Sequence, residues 1–161
     1  MASVRPDSYC GIFCGACEIV HAQTEEDKKR VIGMFQSELP GWEATPEQMR
    51  CDGCKSDAPF VNCRGCRIKD CVKEKGVDSC SECDELPCSI HEQYARASQT
   101  FRILRHLRFN IRNLRDIRAM GLENWVEDQK AKWRCSQCGE PFSWYAEKCR
   151  NCGATVDVWG P

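Results

Sequence analysis

The spacing of hydrophobic residues differs between segments of this 161-residue chain. In the first segment, Val31 and Phe35 belong to a helical pattern, and Thr24 stands directly before three acidic residues. A Thr with acidic residues in the following turn is typical of the start of a helix. We therefore predict a helix over about 25–38, which ends before Pro40.

A second helical pattern occupies a stretch without cysteine, residues 89–134. Its hydrophobic stripe consists of Leu104, Leu107, Ile111 and Leu114. Gly121 has the position of a residue that follows a helix end, and a further helix is predicted over about 122–133. The pattern thus predicts one long helix before Gly121 and a shorter one after it.

Between these helices, residues 51–88 have almost no aliphatic periodicity and contain eight cysteines. The spacing C-x8-C-x2-C-x4-C begins at Cys54 and begins again at Cys71, so two similar ligand loops share one cysteine. We predict that this segment consists of loops and knuckles wrapped around metal ions.

The composition explains why metal ions are expected. Cysteine makes up about 9% of the chain, whereas Leu, Ile, Val and Phe together make up only about 18%, which is little for a hydrophobic core. No segment resembles a signal peptide or a membrane span, so we expect a cytoplasmic protein with reduced thiols and no membrane association. The odd number of cysteines and the six C-x2-C pairs also favour metal ions over disulfides.

The most specific metal-binding pattern lies near the end of the chain, where ten residues separate two C-x2-C pairs, each followed by a glycine to form a C-x2-C-G turn. Its four ligands are Cys135, Cys138, Cys149 and Cys152. Each turn directs two thiolates to one point, and the glycine permits the positive φ of a tight knuckle. The pattern predicts a zinc ribbon, with a rubredoxin-like iron site as the alternative. Because the protein supplies all four ligands, we expect a structural ion.

The eight cysteines of 51–88 can be divided between metal ions in more than one way. The simplest division gives two sites of four residues each: Cys51, Cys54, Cys63 and Cys66 in one, and Cys71, Cys80, Cys83 and Cys88 in the other. Interleaved pairings fit the spacing equally well. Thiolates bind both zinc and iron–sulfur clusters, so both metals stay open here.

Three further cysteines form an N-terminal C-x3-C-x2-C triad of Cys10, Cys14 and Cys17. This spacing is similar to that of radical S-adenosylmethionine enzymes, in which three cysteines hold a [4Fe-4S] cluster with one open iron. The alternative is a structural zinc ion with His21 or His91 as the fourth ligand. Fifteen cysteines and one histidine provide sixteen ligands, enough for four tetrahedral sites.

Seven arginines lie between residues 96 and 118, against a single acidic residue. On a continuous helix, four of them would fall within an arc of about 80°: Arg105, Arg108, Arg112 and Arg115. Guanidinium groups bind phosphate and carboxylate in a bidentate manner, so this is a candidate surface for an anionic partner, either nucleic acid or an acidic protein. Alternatively, these arginines neutralise acidic residues of the thiolate-rich half.

Three stretches form a specific string of motifs: Tyr9-Cys10-Gly11-Ile12-Phe13-Cys14-Gly15-Ala16-Cys17, Cys51-Asp52-Gly53-Cys54, and the run from Cys71 to Leu86-Pro87-Cys88. In these motifs the chain resembles a cysteine-rich bacterial and archaeal family known as domain of unknown function 3795. The tail from Gly121 through the C-terminal cysteines is similar to the longer members. The resemblance implies metal binding and carries no activity with it.

Together the patterns predict a mainly α, small, metal-stabilised, cysteine-rich fold with a short β zinc ribbon at the C-terminus. We expect a metal-binding region over 1–88, a helical region with the basic helix over 89–133, and the ribbon over 134–161, with three or four zinc ions. No phosphate-binding glycine loop or G-x-S-x-G motif is present, which favours a non-enzymatic module that presents the arginine-rich helix to an anionic partner. The alternative is an iron–sulfur redox or radical enzyme with its cluster on the N-terminal triad.

Overall fold

The computed structural model describes residues 5–156, so the outer ends of the regions predicted over 1–88 and 134–161 lie outside it. Within this range the structure is mainly helical. Its α-helices are α1 (Glu18–His21), α2 (Glu25–Glu38), α3 (Arg67–Lys75), α4 (Ser89–Thr100), α5 (Asn110–Met120) and α6 (Leu122–Lys132). Short 3-10 helices span Cys14–Ala16, Pro46–Gln48, Val61–Cys63 and Cys80–Glu82, and a longer one spans Arg102–Phe109.

The helix predicted over 25–38 is confirmed as α2, and its start has the expected cause. The side-chain oxygen of Thr24 accepts a hydrogen bond from the backbone N–H of Asp27 at 3.1 Å, and the Asp27 carboxylate accepts one from the N–H of Thr24 at 3.4 Å. This reciprocal capping box satisfies two donors that the first turn leaves without partners. The prediction of α6 is confirmed as well, and Trp125 is its most deeply buried residue.

The prediction that 51–88 consists only of loops and knuckles is wrong. Helix α3 lies within it and buries Ile68 and Val72, which are one helical turn apart. The helix ends at Gly76, whose φ of 66° is left-handed and therefore suits glycine. Two apolar residues are enough here because neighbouring cysteines and Leu114 complete the buried group.

The single long helix predicted before Gly121 is also wrong, because the chain breaks it at Phe101. The backbone of Phe101 is extended, and residues 102–109 form a 3-10 helix before α5 begins. The N–H of Ile103 donates to Glu38 Oε2 at 2.7 Å, and its carbonyl accepts from the Tyr145 hydroxyl at 2.7 Å. These distant partners occupy backbone groups that a continuous helix would use itself.

The buried hydrophobic residues form three small groups rather than one large core. The largest lies beneath the C-terminal cysteines and contains Phe13, Ala16, Ile117, Trp125, Trp133, Cys135, Phe142, Trp144, Cys149 and Val156. A second contains Ile19, Ala22, Val31, Ile32, Met49 and Phe60, and a third contains Ile68, Val72, Cys80 and Leu114. The first group contains residues from all three predicted regions, so these regions pack against one another.

No helix within residues 5–156 has the length and apolar character needed to cross a membrane.

Candidate metal centres

Four thiols converge near the end of the structure, and we call them the C-terminal thiol group: Cys135, Cys138, Cys149 and Cys152. The Sγ atoms of Cys135 and Cys152 are 3.6 Å apart, and those of Cys138 and Cys149 are 3.5 Å apart. All four sulfur atoms lie within 4.8 Å of one another, and no other set of potential metal ligands in 5–156 is so compact. Sulfur atoms bound to one zinc ion at about 2.3 Å are about 3.8 Å apart in a tetrahedron. The geometry therefore fits one metal ion.

Each pair of cysteines in this group belongs to a knuckle closed by backbone hydrogen bonds. The N–H of Gly139 donates to the carbonyl of Cys135 at 2.8 Å, and the N–H of Gly153 donates to that of Cys149 at 2.9 Å. Both glycines have a φ of 74°, as predicted for a tight knuckle. Within the described residues the predicted short strands are reduced to two isolated antiparallel bridges, one beside each knuckle.

The thiols of this group do not ionise independently. The backbone N–H of Glu140 and the side chain of Asn151 lower the pKa of Cys138 to about 6. At Cys152 the backbone N–H of Ala154 lowers the pKa, but the neighbouring thiols outweigh it and raise the pKa to about 12. Thiolates this close repel one another, so a bound cation is needed for all four to be charged together.

A buried carboxylate connects this group to the N-terminal part of the chain. Glu18 is only 4% exposed, and its Oε1 accepts hydrogen bonds from the Ser143 hydroxyl and, at 3.2 Å, from the backbone N–H of Tyr145. Its Oε2 lies 3.5 Å from Nη2 of Arg30. Glu18 directly follows the triad, so it fixes residues 134–156, which we call the C-terminal hairpin, against that segment. Sequence reasoning missed this residue because no motif marks it.

His106 forms a second connection to the hairpin. Its ring stacks on Trp144 with centroids 4.1 Å apart, and its Nδ1 lies 2.9 Å from the Tyr145 hydroxyl. Burial lowers the pKa of His106 to about 3, so the ring is neutral near pH 7. A neutral, stacked and hydrogen-bonded imidazole has a packing role here.

The N-terminal triad has further thiols beside it. Burial raises the pKa of Cys14 well above its ordinary value, and the nearby thiols of Cys54 and Cys17 raise it further. Burial also raises the pKa of Cys63, to which the thiols of Cys51 and Cys17 add. We call this set the N-terminal thiol group; it consists of Cys10, Cys14, Cys17, Cys51, Cys54, Cys63 and Cys66. The structure thus places the triad beside the first predicted set of four cysteines, which begins at Cys51.

Several sulfur atoms of the N-terminal thiol group have hydrogen-bond donors. The backbone N–H of Tyr9 lies 3.4 Å from the Sγ of Cys54, and the N–H of Gly53 lies 3.4 Å from the Sγ of Cys51. N–H donors stabilise a thiolate and so favour the form that binds metal. All fifteen cysteines lie within the described range, and none of them is in a disulfide.

The second predicted set surrounds a cavity of about 20 Å³, which we call the α3–α4 cavity. It is lined by Cys71, Cys80, Cys83 and Cys88 together with His91.

The other candidate histidine, His21, has different surroundings, because its Nε2 lies 2.8 Å from the carbonyl of Gly15. A carbonyl only accepts, so this nitrogen carries a proton and donates it. The Nε2 of His21 is therefore already paired, whereas His91 lies beside the cysteines of the second predicted set.

The four arginines predicted to share one face have different surroundings. Arg105 is half-buried, with its guanidinium 5.9 Å from the centre of the Tyr145 ring. Arg108 is exposed, and its Nη2 donates to the carbonyl of Ser98 at 3.1 Å. Arg112 and Arg115 are exposed on α5, where the Arg112 side chain is 70% exposed. The exposed part of the predicted surface therefore consists of Arg108, Arg112 and Arg115, which we call the arginine surface.

These features define a cysteine-rich protein with at least one group of thiols that could hold a metal ion. A comparison with family models adds one match, "Protein of unknown function (DUF3795)", over residues 7–93. The chain therefore belongs to this family, as its motifs indicated. The match includes the N-terminal thiol group and the α3–α4 cavity, whereas the C-terminal thiol group follows it. No curated protein and no solved structure matches the chain.

Proposed function

We propose that the protein is a non-enzymatic, zinc-binding module that presents its arginine surface to an anionic partner in the cytoplasm. The observation that carries the metal-binding part is the compactness of the C-terminal thiol group, with its four sulfur atoms within 4.8 Å. Four thiolates in a closed tetrahedron suit a structural zinc ion and leave no position for a substrate. The hairpin then serves as a zinc ribbon without extended strands.

The packing supports a structural role for zinc. The buried hydrophobic residues form small groups, and each group includes or touches cysteines. A structural zinc ion contributes on the order of 10 kcal/mol to folding because its site does not exist in the unfolded chain. We therefore propose that metal–thiolate bonds replace the missing part of the core. Further ions on the N-terminal thiol group and in the α3–α4 cavity would bring the total to three or four.

The surroundings of the triad favour a structural zinc site over the open cluster of an iron–sulfur redox or radical enzyme. A cluster that binds a substrate needs one iron without a protein ligand. The thiols of Cys51 and Cys54 lie near enough to Cys14 to raise its pKa, so further thiols are available close to the triad. Such an environment favours a closed, structural centre.

The arginine surface supports the binding part of the proposal. Arg112 and Arg115 are three residues apart on α5, Arg108 lies near the end of the preceding 3-10 helix, and all three are exposed. The nearby Asp116 lies 3.9 Å from Arg112 and is the only acidic residue between 96 and 118. An exposed ion pair of this length contributes little, so the Arg112 guanidinium is available to phosphate or carboxylate groups. Arg108 donates to the Ser98 carbonyl through Nε and Nη2 and has further N–H donors for such a group.

Retention on immobilised nucleic acid and on an immobilised acidic polypeptide, as a function of salt, tests the binding part. We expect the full-length protein to be retained at low salt on at least one of them. The triple variant Arg108→Gln, Arg112→Gln, Arg115→Gln should elute at lower salt. For nucleic acid, the slope of log K against log salt should fall by about 0.9 per lost phosphate contact.

The matched control removes three exposed positive charges elsewhere: Lys29→Gln, Arg64→Gln and Lys73→Gln. It should elute close to the natural protein. If both triple variants elute at the same lower salt concentration, the effect comes from net charge alone. That result would contradict a specific arginine surface. Absence of retention on both supports would contradict the anionic partner altogether.

A further inference from the structure

We propose that His91 is a metal ligand, and that it holds a thiophilic divalent cation such as Zn²⁺ in the α3–α4 cavity together with Cys71, Cys83 and Cys88. The inference rests on the proposed metal binding and goes further by assigning a histidine ligand. It also divides the first eleven cysteines in a way that their spacing alone does not.

The helices bring these residues together from separate parts of the chain. Cys71 lies in the middle of α3, and Cys83 directly follows the 3-10 helix Cys80–Glu82. Cys88 is the N-cap of α4, and His91 is the third residue of that helix. Cys88 and His91 are therefore less than one helical turn apart, and both line the same cavity.

His91 has the features of a metal ligand. The residue is only 3% exposed, and its Nε2 is buried without any hydrogen-bond partner in the structure. A buried polar atom without a partner is unfavourable, so such atoms are rare in folded proteins. A cation in the cavity would give this nitrogen a partner. Neutral imidazole is the form that binds metal ions.

The cavity has room for one ion. Its volume of about 20 Å³ exceeds the roughly 10–15 Å³ that a single water molecule requires. Its donor atoms are spaced more widely than those of the C-terminal thiol group, so a bound ion would draw them inward. The Nζ of Lys75 lies 3.7 Å from the Sγ of Cys83 and offers a positive charge beside a thiolate.

Five donors line the cavity, whereas a tetrahedral ion takes four. Cys80 is the one that also faces the triad. Its backbone N–H donates to the carbonyl of Tyr9 at 2.9 Å, and its side chain belongs to the same buried group as Cys10 and Cys66. We therefore assign Cys80 to the N-terminal thiol group, which then has eight thiols, the number that two tetrahedral ions require.

Nuclear magnetic resonance on the full chain tests the ligand directly. The ¹⁵N-labelled protein is loaded with ¹¹³Cd²⁺, and long-range ¹H–¹⁵N correlations of the imidazole rings are recorded. The chain has only three histidines, His21, His91 and His106, so the spectrum is simple. We expect the Nε2 signal of His91 to be split by one-bond coupling to ¹¹³Cd, whereas the other two histidines stay unsplit.

The outcomes separate this inference from the proposed function. If ¹¹³Cd binds to the protein and the Nε2 signal of His91 is not split, the histidine ligand is wrong while metal binding stands. If the protein binds no ¹¹³Cd and contains no zinc as purified, the proposed function fails, and this inference fails with it.

Variants provide a second readout in zinc content per chain. His91→Ala should bind one zinc ion more than about 100-fold more weakly, whereas His91→Cys supplies a thiolate and should restore the full content. His21→Ala is the matched control and should keep the content of the natural protein. Unchanged zinc content and affinity in His91→Ala would overturn the proposal. If His91→Ala does not fold, a zinc content in His91→Cys one ion below that of the natural protein would also overturn it.

Discussion

Replacement of Glu18 tests how strongly the C-terminal hairpin depends on the N-terminal segment. The change Glu18→Ala leaves the buried Ser143 hydroxyl and the N–H of Tyr145 without their acceptor. Each hydrogen bond to a charged group contributes about 1.5–3 kcal/mol, which gives about 3–6 kcal/mol for the two. The side chain of Arg30 is 54% exposed, so its ion pair adds little. Relief of the buried charge offsets part of the loss, and we expect Glu18→Ala to lower the free energy of unfolding by about 2–4 kcal/mol.

Urea unfolding of the zinc-loaded protein, followed by circular dichroism, measures this loss. Glu18→Gln keeps one acceptor oxygen and should cost less, about 1–2 kcal/mol. The control Glu25→Ala removes an exposed carboxylate that pairs only with Lys29, and it should change the free energy by less than about 0.5 kcal/mol. A value for Glu18→Ala within about 0.5 kcal/mol of the natural protein would refute the role of this carboxylate.

Two further predictions concern packing and pH. Gly11 has a φ of 83°, and an added Cβ would lie 2.7 Å from the carbonyl oxygen of Asn110, so Gly11→Ala should cost about 2–4 kcal/mol in urea unfolding. Gly41→Ala, with a φ of 80° and open space around it, should cost only about 1–2 kcal/mol; equal losses would contradict the close contact. The depressed pKa of His106 contributes stability above its ordinary pKa of 6.5, and this stability declines as the pH falls toward about 3. Between pH 7 and 5.5, the natural protein should therefore lose about 1 kcal/mol more than His106→Phe, with equal metal content checked in both; equal losses would show that His106 is not the cause.

The elements that local chemistry determines were predictable. Helix α2 follows from the capping box at Thr24, and α6 from the helical pattern that starts after Gly121. The knuckles of the C-terminal thiol group follow from the two C-x2-C-G turns, whose glycines have the expected positive φ. In each case the residues that specify the element lie within a few positions of it.

The elements that depend on distant partners were not predictable in this way. The break at Phe101 depends on two hydrogen bonds of Ile103 with distant residues. Its N–H donates to Glu38, 65 residues away, and its carbonyl accepts from the hydroxyl of Tyr145, 42 residues away. Such contacts override the helical pattern of 102–109. In the same way, the location of His91 beside the α3–α4 cavity depends on the packing of α3 near the start of α4.

Helix α3 is different, because its signals were local but weak. Its nine residues bury only Ile68 and Val72, too few for a clear helical period. The basic residues Lys73 and Lys75 in its last turn and Gly76 after it are typical of a helix end. The eight cysteines of 51–88 are typical of metal-binding loops, and that stronger pattern concealed the signals for this helix.

We propose that metal–thiolate bonds take the place of a larger hydrophobic core in this protein. The most direct test measures zinc content and far-ultraviolet circular dichroism on the same sample before and after metal removal by a strong chelator. We predict a colourless protein that contains zinc, loses its helical signal as the zinc is removed and regains it when zinc is returned. A metal-free protein with an unchanged helical signal would contradict the claim.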